Sequence, residues 1–319
     1  MVEQMVSTGI CSPENAMTRL VIIPLLPFTP KLPLSRFFTE TRTRDWTKHW
    51  ENTLPFAEAG IASWKKWTSL NNVELEVVEK LPSPDECEYS EEQIELLMTF
   101  PPDVSRWLLP LAANRKYGDK LQIALIDVDT LILPNAPSIF EQDEKTIDSI
   151  HSGADVLLIR DRPDGKWTKS RNKSCEIFAP LFPGVQFNRD LYFNAGVVVL
   201  NSPVVRFLPA TFLNFVLQHP AELMEKMTGG NGTDQTPLNF ILQQLLKDNQ
   251  ITVSFLDSKW NARVNVILGT KNSDKSTWPI LAREVVLNNY ISHFTLTKDL
   301  MPDVWHSLEL SPLERSTLL

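Results

Sequence analysis

At 319 residues the chain is long enough for one large α/β domain or two small ones, and a composition of 43% hydrophobic and 22% charged residues supplies an ordinary globular core. A net charge of −8 argues against general nucleic-acid or anionic-membrane partners, although a metal and a few local cations suffice for an acidic protein to hold a diphosphate. Three cysteines, Cys11, Cys87 and Cys175, show no ligand spacing and fit unpaired thiols in a reducing compartment.

Residues 1–18 carry no pattern and read as a loose tail. The apolar run Leu20–Phe28 is broken by Pro24 and Pro27, is too short to span a bilayer, and lacks a basic flank or cleavage site. The expectation is therefore a cytoplasmic chain with no transmembrane segment; sequons at Asn172 and Asn231 would matter only elsewhere. Leu20–Ile23 is predicted as the first strand. The stretch to Asn52, with Arg36, Arg42, Arg44 and Lys48, reads as an exposed excursion. Over Pro55–Leu70, the spacing of Phe56, Ala59, Ile61, Trp64 and Trp67 predicts a helix whose aromatics face the core. A strand, Val73–Val78, comes next. Pro82–Glu95 is acidic and irregular and is expected to be a surface loop, and Val104–Arg115 a helix with Arg106 and Trp107 near its start.

The next stretch, Lys120–Leu133 (KLQIALIDVDTLIL), is the most informative. Leu121–Ile126 reads as a strand buried on both faces, and it ends in Asp127-Val128-Asp129. Carboxylates at i and i+2 share a face and repel, and Asp is a poor strand former. A divalent cation with oxygen ligands relieves that repulsion, and a diphosphate often completes the coordination. Two families place Asp-x-Asp after a buried strand. In haloacid-dehalogenase phosphatases the first Asp, here Asp127, is the nucleophile, and Thr is required where this chain has Leu131. The other family is the metal-dependent, nucleotide-sugar glycosyltransferases.

Residues 136–152 are expected to be helical or turn-rich, Ala154–Arg160 a strand, and Asp161–Ser174 a basic loop containing Trp167. In Asp190–Asn201 (DLYFNAGVVVLN) a strand pattern is interrupted by Asn194-Ala195-Gly196. Gly there permits close approach of backbone and ligand, while a bulge explains the same residues. Thr228–Asn231 reads as a turn before a helix opening at Gly232-Thr233-Asp234-Gln235-Thr236-Pro237 and running to about Lys247. Thr233 or Asp234 is the expected N-cap, which leaves Gln235 without a reason. The strand Ile251–Leu256, the loop Asp257–Asn261 and a strand Val285–Phe294 containing His293 complete the pattern, with Lys298 after it.

Taken in order, IDVDTLIL, YFNAGVVVLN, GTDQTPLNFI, SKWNARV and SHFTLTK resemble the glycosyltransferases related to glycogenin and the bacterial lipopolysaccharide galactosyltransferases, over about Arg106 to Lys298. The resemblance implies one GT-A domain over residues 19–305, flanked by tails 1–18 and 306–319. Such a domain is a mostly parallel sheet with helices on both faces, binding a UDP-sugar at the strand carboxyl ends. It further implies Asp127, Asp129 and His293 as ligands of Mn²⁺, with Mg²⁺ as the substitute, and Arg106, Asp127, Asn194, Gly196 and Lys298 as donor-binding residues. Asp234 and Gln235 would be catalytic beside the donor sugar, with the Gln235 amide oxygen facing the anomeric carbon. The implied reaction is hexosyl transfer with retention to a carbohydrate, glycolipid or protein acceptor. A phosphatase using Asp127, or a non-catalytic nucleotide-sugar-binding protein, is the alternative. One departure is visible: the family's His-aromatic-x-Gly-x-x-Lys-Pro-Trp reads here His293-Phe294-Thr295-Leu296-Thr297-Lys298-Asp299, with Leu for Gly and Lys one residue early.

Overall fold

The computed structural model describes residues 17–26, 54–141, 154–161, 168–228, 234–271 and 274–309. Strand β1 (Thr18–Pro24) leads to helix α1 (Leu54–Asn71), which stops where Asn72 enters the left-handed region at φ 53°. Strand β2 (Glu74–Val78) is next, then helices α2 (Pro84–Cys87), α3 (Glu91–Leu97), α4 (Pro102–Ser105) and α5 (Leu108–Tyr117). The middle of the chain holds β3 (Leu121–Ile126), β4 (Thr130–Ile132), β5 (Val156–Arg160), α6 (Lys169–Phe178) and β6 (Phe193–Asn201). The rest comprises α7 (Val204–Gln218), α8 (Pro220–Thr228), α9 (Gln235–Lys247), β7 (Val253–Phe255), β8 (Ala262–Arg263), α10 (Val264–Lys271), α11 (Trp278–Leu287), β9 (Ile291–His293) and α12 (Met301–Glu309).

The main sheet has six strands in the order β2-β1-β3-β6-β5-β7, and only β6 runs against the others. Period-two alternation sends Leu20, Ile22, Ile123 and Leu125 into one apolar cluster with α5, α7 and α9. Val21, Ile23, Ala124 and Ile126 enter a second cluster on the other face, against Trp64 and Trp67 of α1. The expected α/β class, a mostly parallel sheet covered on both faces by helices, is what forms. A smaller sheet, β4-β9-β8, lies beyond the end of β3 and packs with α1, α10, α11 and α12.

Several boundaries differ from expectation. The acidic stretch Pro82–Glu95 is two short helices. Glu86 Oε2 accepts from Ser83 N (2.7 Å), and Ser90 Oγ accepts from Gln93 N (3.2 Å) while Ser90 N donates to Gln93 Oε1 (2.9 Å). The helix expected over Val104–Arg115 breaks between α4 and α5, so Arg106 and Trp107 sit at a corner and turn inward, both buried. Val285–Leu287 closes α11 instead of opening a strand; its β-branched pair resembles a strand, but Ala282, Val285 and Val286 pack at helical spacing. Part of the loop expected over Asp161–Ser174 is the start of α6, capped by Thr168 Oγ1 accepting from Arg171 N (3.2 Å). Asn194-Ala195-Gly196 stays within β6, opposite a register shift in β5 between Leu157 and Ile159. Arg36, Arg42, Arg44, Lys48, Trp167, residues 142–152 and the turn before Asp234 lie outside the described residues.

If the capping boxes hold α2 and α3, Ser90→Ala should lower stability by about 0.5–2 kcal/mol in urea unfolding. An unchanged midpoint would return Pro82–Glu95 to an unstructured loop.

Candidate active site

The sheet topology gathers residues that are distant in sequence. Asp127 and Asp161 leave the carboxyl ends of β3 and β5, and Asn194 opens the antiparallel β6 at the same edge. Asp127 N donates to Gly196 O (2.8 Å), tying the first carboxylate to β6. In the small sheet Thr130 pairs with His293, and Phe294 N donates to Asp129 O (2.9 Å). These backbone bonds bring both carboxylates under the imidazole.

One ligand atom from each of Asp127, Asp129 and His293 lies within 4.8 Å of the others. His293 Nε2 is 3.0 Å from Asp129 Oδ1 and 3.6 Å from Asp127 Oδ2. The other oxygen of each carboxylate has its own cation: Arg106 pairs with Asp127 Oδ1, and Lys298 Nζ lies 3.0 Å from Asp129 Oδ2. Burial pushes the Asp127 carboxyl above the usual range, with Asp129 adding to it against the opposing Arg106 and His293. Burial also acts upward on Asp129, but His293 and Lys298 outweigh it and hold that carboxyl well below the usual range. For His293 burial disfavours charge, and Asp129 followed by Asp127 overcomes it, so its imidazolium persists above the ordinary histidine range.

This set fits a divalent ion. His293 Nδ1 meets Asn261 Oδ1 (3.1 Å), which leaves Nε2 as the metal-facing nitrogen, an orientation common for metal-bound histidine. At Gly196 an added Cβ would lie 2.5 Å from His293 Cε1 and 2.7 Å from Asp127 Oδ2, so only glycine leaves the cluster its space. Packing of the cluster by itself therefore calls for glycine at position 196.

Arg106 is a buried strut. Beyond Asp127, its Nη2 donates to Asp234 Oδ2 (2.7 Å) and to Ala195 O (2.9 Å). Trp107 Nε1 donates to the same Asp234 oxygen (2.9 Å). Asp234 is therefore not the side-chain cap the sequence suggests: it precedes α9 with helical dihedrals, and its carboxylate turns away from the α9 amides toward Arg106. The corner between α4 and α5 makes that pairing possible. Gln235 joins the same network. Its Oε1 accepts from Asn194 Nδ2 (3.2 Å) and Ala195 N (3.4 Å), so the oxygen is engaged, while its Nε2 is buried and unpartnered among the described residues. Asn194 Oδ1 accepts from Gly196 N (3.0 Å) and Asn261 Nδ2 (2.7 Å), making Asn194 the joint between Gln235 and the imidazole.

All the residues singled out in the sequence, Arg106, Asp127, Asp129, Asn194, Gly196, Asp234, Gln235, His293 and Lys298, fall in one connected network. Sequence reasoning missed Asn261, although it lies in SKWNARV, and it missed Asp161. The buried Asp161 carboxylate accepts from Arg171 Nε (3.1 Å) and Nη2 (3.2 Å) and from Arg263 Nη1 (3.0 Å), and Asn194 Nδ2 lies 3.4 Å away. A carboxylate directly after a buried strand was the available signal, the same one that marks Asp127.

No protein-family model matches the chain, and no curated protein matches it. Among solved structures it is similar to a glycosyltransferase involved in the glycosylation of the major capsid of PBCV-1, at 11% identity over 91% of this chain and 99% of that one, TM-score 0.47. It is also similar to the galactosyltransferase LgtC in complex with donor and acceptor sugar analogs, at 13% identity over 94% and 100%, TM-score 0.45. A third is mouse xyloside xylosyltransferase 1, at 14% identity over 88% and 98%, TM-score 0.42.

Asp234→Ala should cost about 3–5 kcal/mol, the scale for leaving a buried guanidinium underpaired, instead of the ~1 kcal/mol of a lost cap. Chemical unfolding distinguishes the two. His293, with a folded pKa above its unfolded value of 6.5, stabilises the metal-free protein fully below pH 6.5 and loses that contribution as pH rises through the raised value. In the presence of EDTA, Tm should therefore fall on going alkaline from pH 6.5, with a shallower slope in His293→Ala.

Proposed function

We propose that the protein is a metal-dependent glycosyltransferase that moves a hexosyl group from a UDP-sugar to a hydroxyl of a carbohydrate, glycolipid or protein acceptor, with retention. The observation carrying this reading is the convergence of Asp127, Asp129 and His293 at the strand carboxyl ends, joined through Asn194 to Gln235, whose Nε2 has no partner among the described residues. On this reading the three residues hold Mn²⁺, with Mg²⁺ as the substitute, since carboxylate oxygens and an imidazole suit such an ion. When bound, the ion supplies positive charge to the departing diphosphate.

The protein groups then have separate tasks. Lys298, held 3.0 Å from Asp129 and over the Phe56 ring, offers a second positive charge at the cluster edge. Arg106 opposes the upward push of burial on Asp127, and Asp234 keeps Arg106 in place. Gln235 presents N–H to the donor sugar, aimed by Asn194 and Ala195 N. A neutral amide is a poor nucleophile, which favours same-face displacement without a covalent intermediate. The anomeric carbon–oxygen bond breaks toward the diphosphate, the acceptor oxygen bonds on that face, and its proton passes to the departing phosphate.

The phosphatase reading is disfavoured because the required Thr position is Leu131, 1% exposed inside the small sheet. Both oxygens of its nucleophile, Asp127, also face cation partners, Arg106 and His293.

The test is UDP release from a panel of UDP-hexoses with and without Mn²⁺. Asp127→Asn and Asp129→Asn should abolish Mn²⁺-dependent UDP binding in calorimetry while the proteins remain folded. Gln235→Ala should lower kcat by about 10–10³-fold with little change in UDP affinity. Release from no donor, or an inverted anomeric centre in the first-formed product by NMR, would contradict the proposal.

A further inference from the structure

Helix α1 turns one face toward the Asp127–Asp129 turn, and beyond Phe56 the chemistry above gives that face no task. Phe56, Gly60, Ser63, Trp64 and Trp67 lie along one helical stripe. An ordinary core stripe needs apolar bulk alone, yet Gly60, Ser63, Trp64 and Trp67 reach the carboxylate loop or the segment that comes after it. An added Cβ at Gly60 would lie 2.4 Å from Val128 O and 3.2 Å from Thr130 O, so the helix backbone itself abuts the turn. Ser63 Oγ donates to Gly60 O (2.7 Å) and accepts from Ile132 N (3.2 Å). Trp64 Nε1 donates to Thr130 Oγ1 (3.0 Å), and that hydroxyl donates to Asp127 O (2.7 Å). Trp67 Nε1 donates to Ala136 O (2.9 Å), past β4. At the start of the stripe the Lys298 ammonium stands 4.8 Å from the Phe56 ring centre. Ser63, Trp64, Trp67 and Thr130 are all buried, so water does not compete for these bonds.

We propose that α1 is a clamp that sets the geometry of the carboxylate turn, with Trp64 and Thr130 as positioning residues for Asp127 and Asp129. Two like charges on one turn push it open, and the backbone must resist that push for the ligand oxygens to stay convergent. The Thr130 hydroxyl carries one proton. With Trp64 N–H directed at its oxygen, that proton goes to Asp127 O, so the indole fixes the hydroxyl and the hydroxyl fixes the turn. Gly60 serves by having no side chain, which lets the helix approach the Val128 and Thr130 carbonyls. The consequence for metal binding rests on the function proposed above; the clamp itself rests on these contacts.

The discriminating variant is Thr130→Val, which keeps the shape and β-branching and removes only the hydroxyl. It should weaken Mn²⁺ binding by about 10–100-fold in calorimetry, the scale for losing a group that orients a metal ligand. Thr130→Ser should restore affinity to within a few-fold of wild type, and Trp64→Phe should shift it in the direction of Thr130→Val. In hydrogen exchange by mass spectrometry without metal, Thr130→Val should speed exchange in peptides spanning residues 127–132 and leave β6 peptides unchanged. Unaltered Mn²⁺ affinity in a folded Thr130→Val protein would overturn the clamp. If the wild type binds no divalent ion, the metal reading fails instead, and the exchange pattern decides: local acceleration supports the clamp, and none refutes it.

Discussion

Two carboxylates placed two residues apart at the end of a buried strand cannot share a small space without cations between and around them. In this fold each of Asp127 and Asp129 has one oxygen held by its own cation, Arg106 or Lys298, and turns the other toward His293. Much of the tertiary structure serves that arrangement. Arg106 reaches Asp127 from the break between α4 and α5, and it is balanced in turn by Asp234 before α9. Lys298 arrives on the turn after β9, and β9 arrives by pairing with the β4 strand that comes after the carboxylates. Burial pushes the Asp127 and Asp234 carboxyls upward, and against burial Asp129 followed by Asp127 holds the His293 imidazolium above the ordinary histidine range. On the proposed function, a divalent ion bound there would add positive charge where a diphosphate binds.

The carboxylate pair was legible because it violates the pattern around it: an apolar strand ending in Asp-x-Asp has no packing explanation. Helix α1 and strands β1, β3 and β6 were legible for the complementary reason, since their apolar spacing agrees with burial on the faces they occupy. Other features depended on partners that local sequence does not name. The residues around Arg106 continue a helical pattern; Pro110, which has no N–H to offer the Arg106 carbonyl, marks the break locally, but the pairing of Arg106 with Asp127 and Asp234 has no local sign. Asp234 sits where a cap belongs, so its turn toward Arg106 could not be read from position. At Val285–Leu287 the β-branched residues suggest a strand, and packing against α10 and α12 overrides them.

The least legible residues act through others. Asn261 orients His293, Thr130 orients the carboxylate turn, and the glycines at 60 and 196 act by absence, leaving room for carbonyls in one case and for the His293 and Asp127 side chains in the other. None of these roles has a local signature, because each depends on an approach between segments far apart in the chain. The exposed Leu296, standing where the resembled family has Gly, shows the converse. It is 77% exposed, and the altered motif still delivers Lys298 to Asp129, because the short turn after β9 sets the position of the ammonium.

On the proposed function, one ion is held jointly by the carboxylate pair and His293 and carries a nucleoside diphosphate. Pulsed electron paramagnetic resonance of the protein with stoichiometric Mn²⁺ and UDP addresses this directly. The account predicts ¹⁴N modulation from one imidazole, lost in His293→Ala, together with ³¹P hyperfine coupling on the same ion. A spectrum of free hexaaquo Mn²⁺, or phosphorus coupling with no imidazole nitrogen in the wild type, would contradict it.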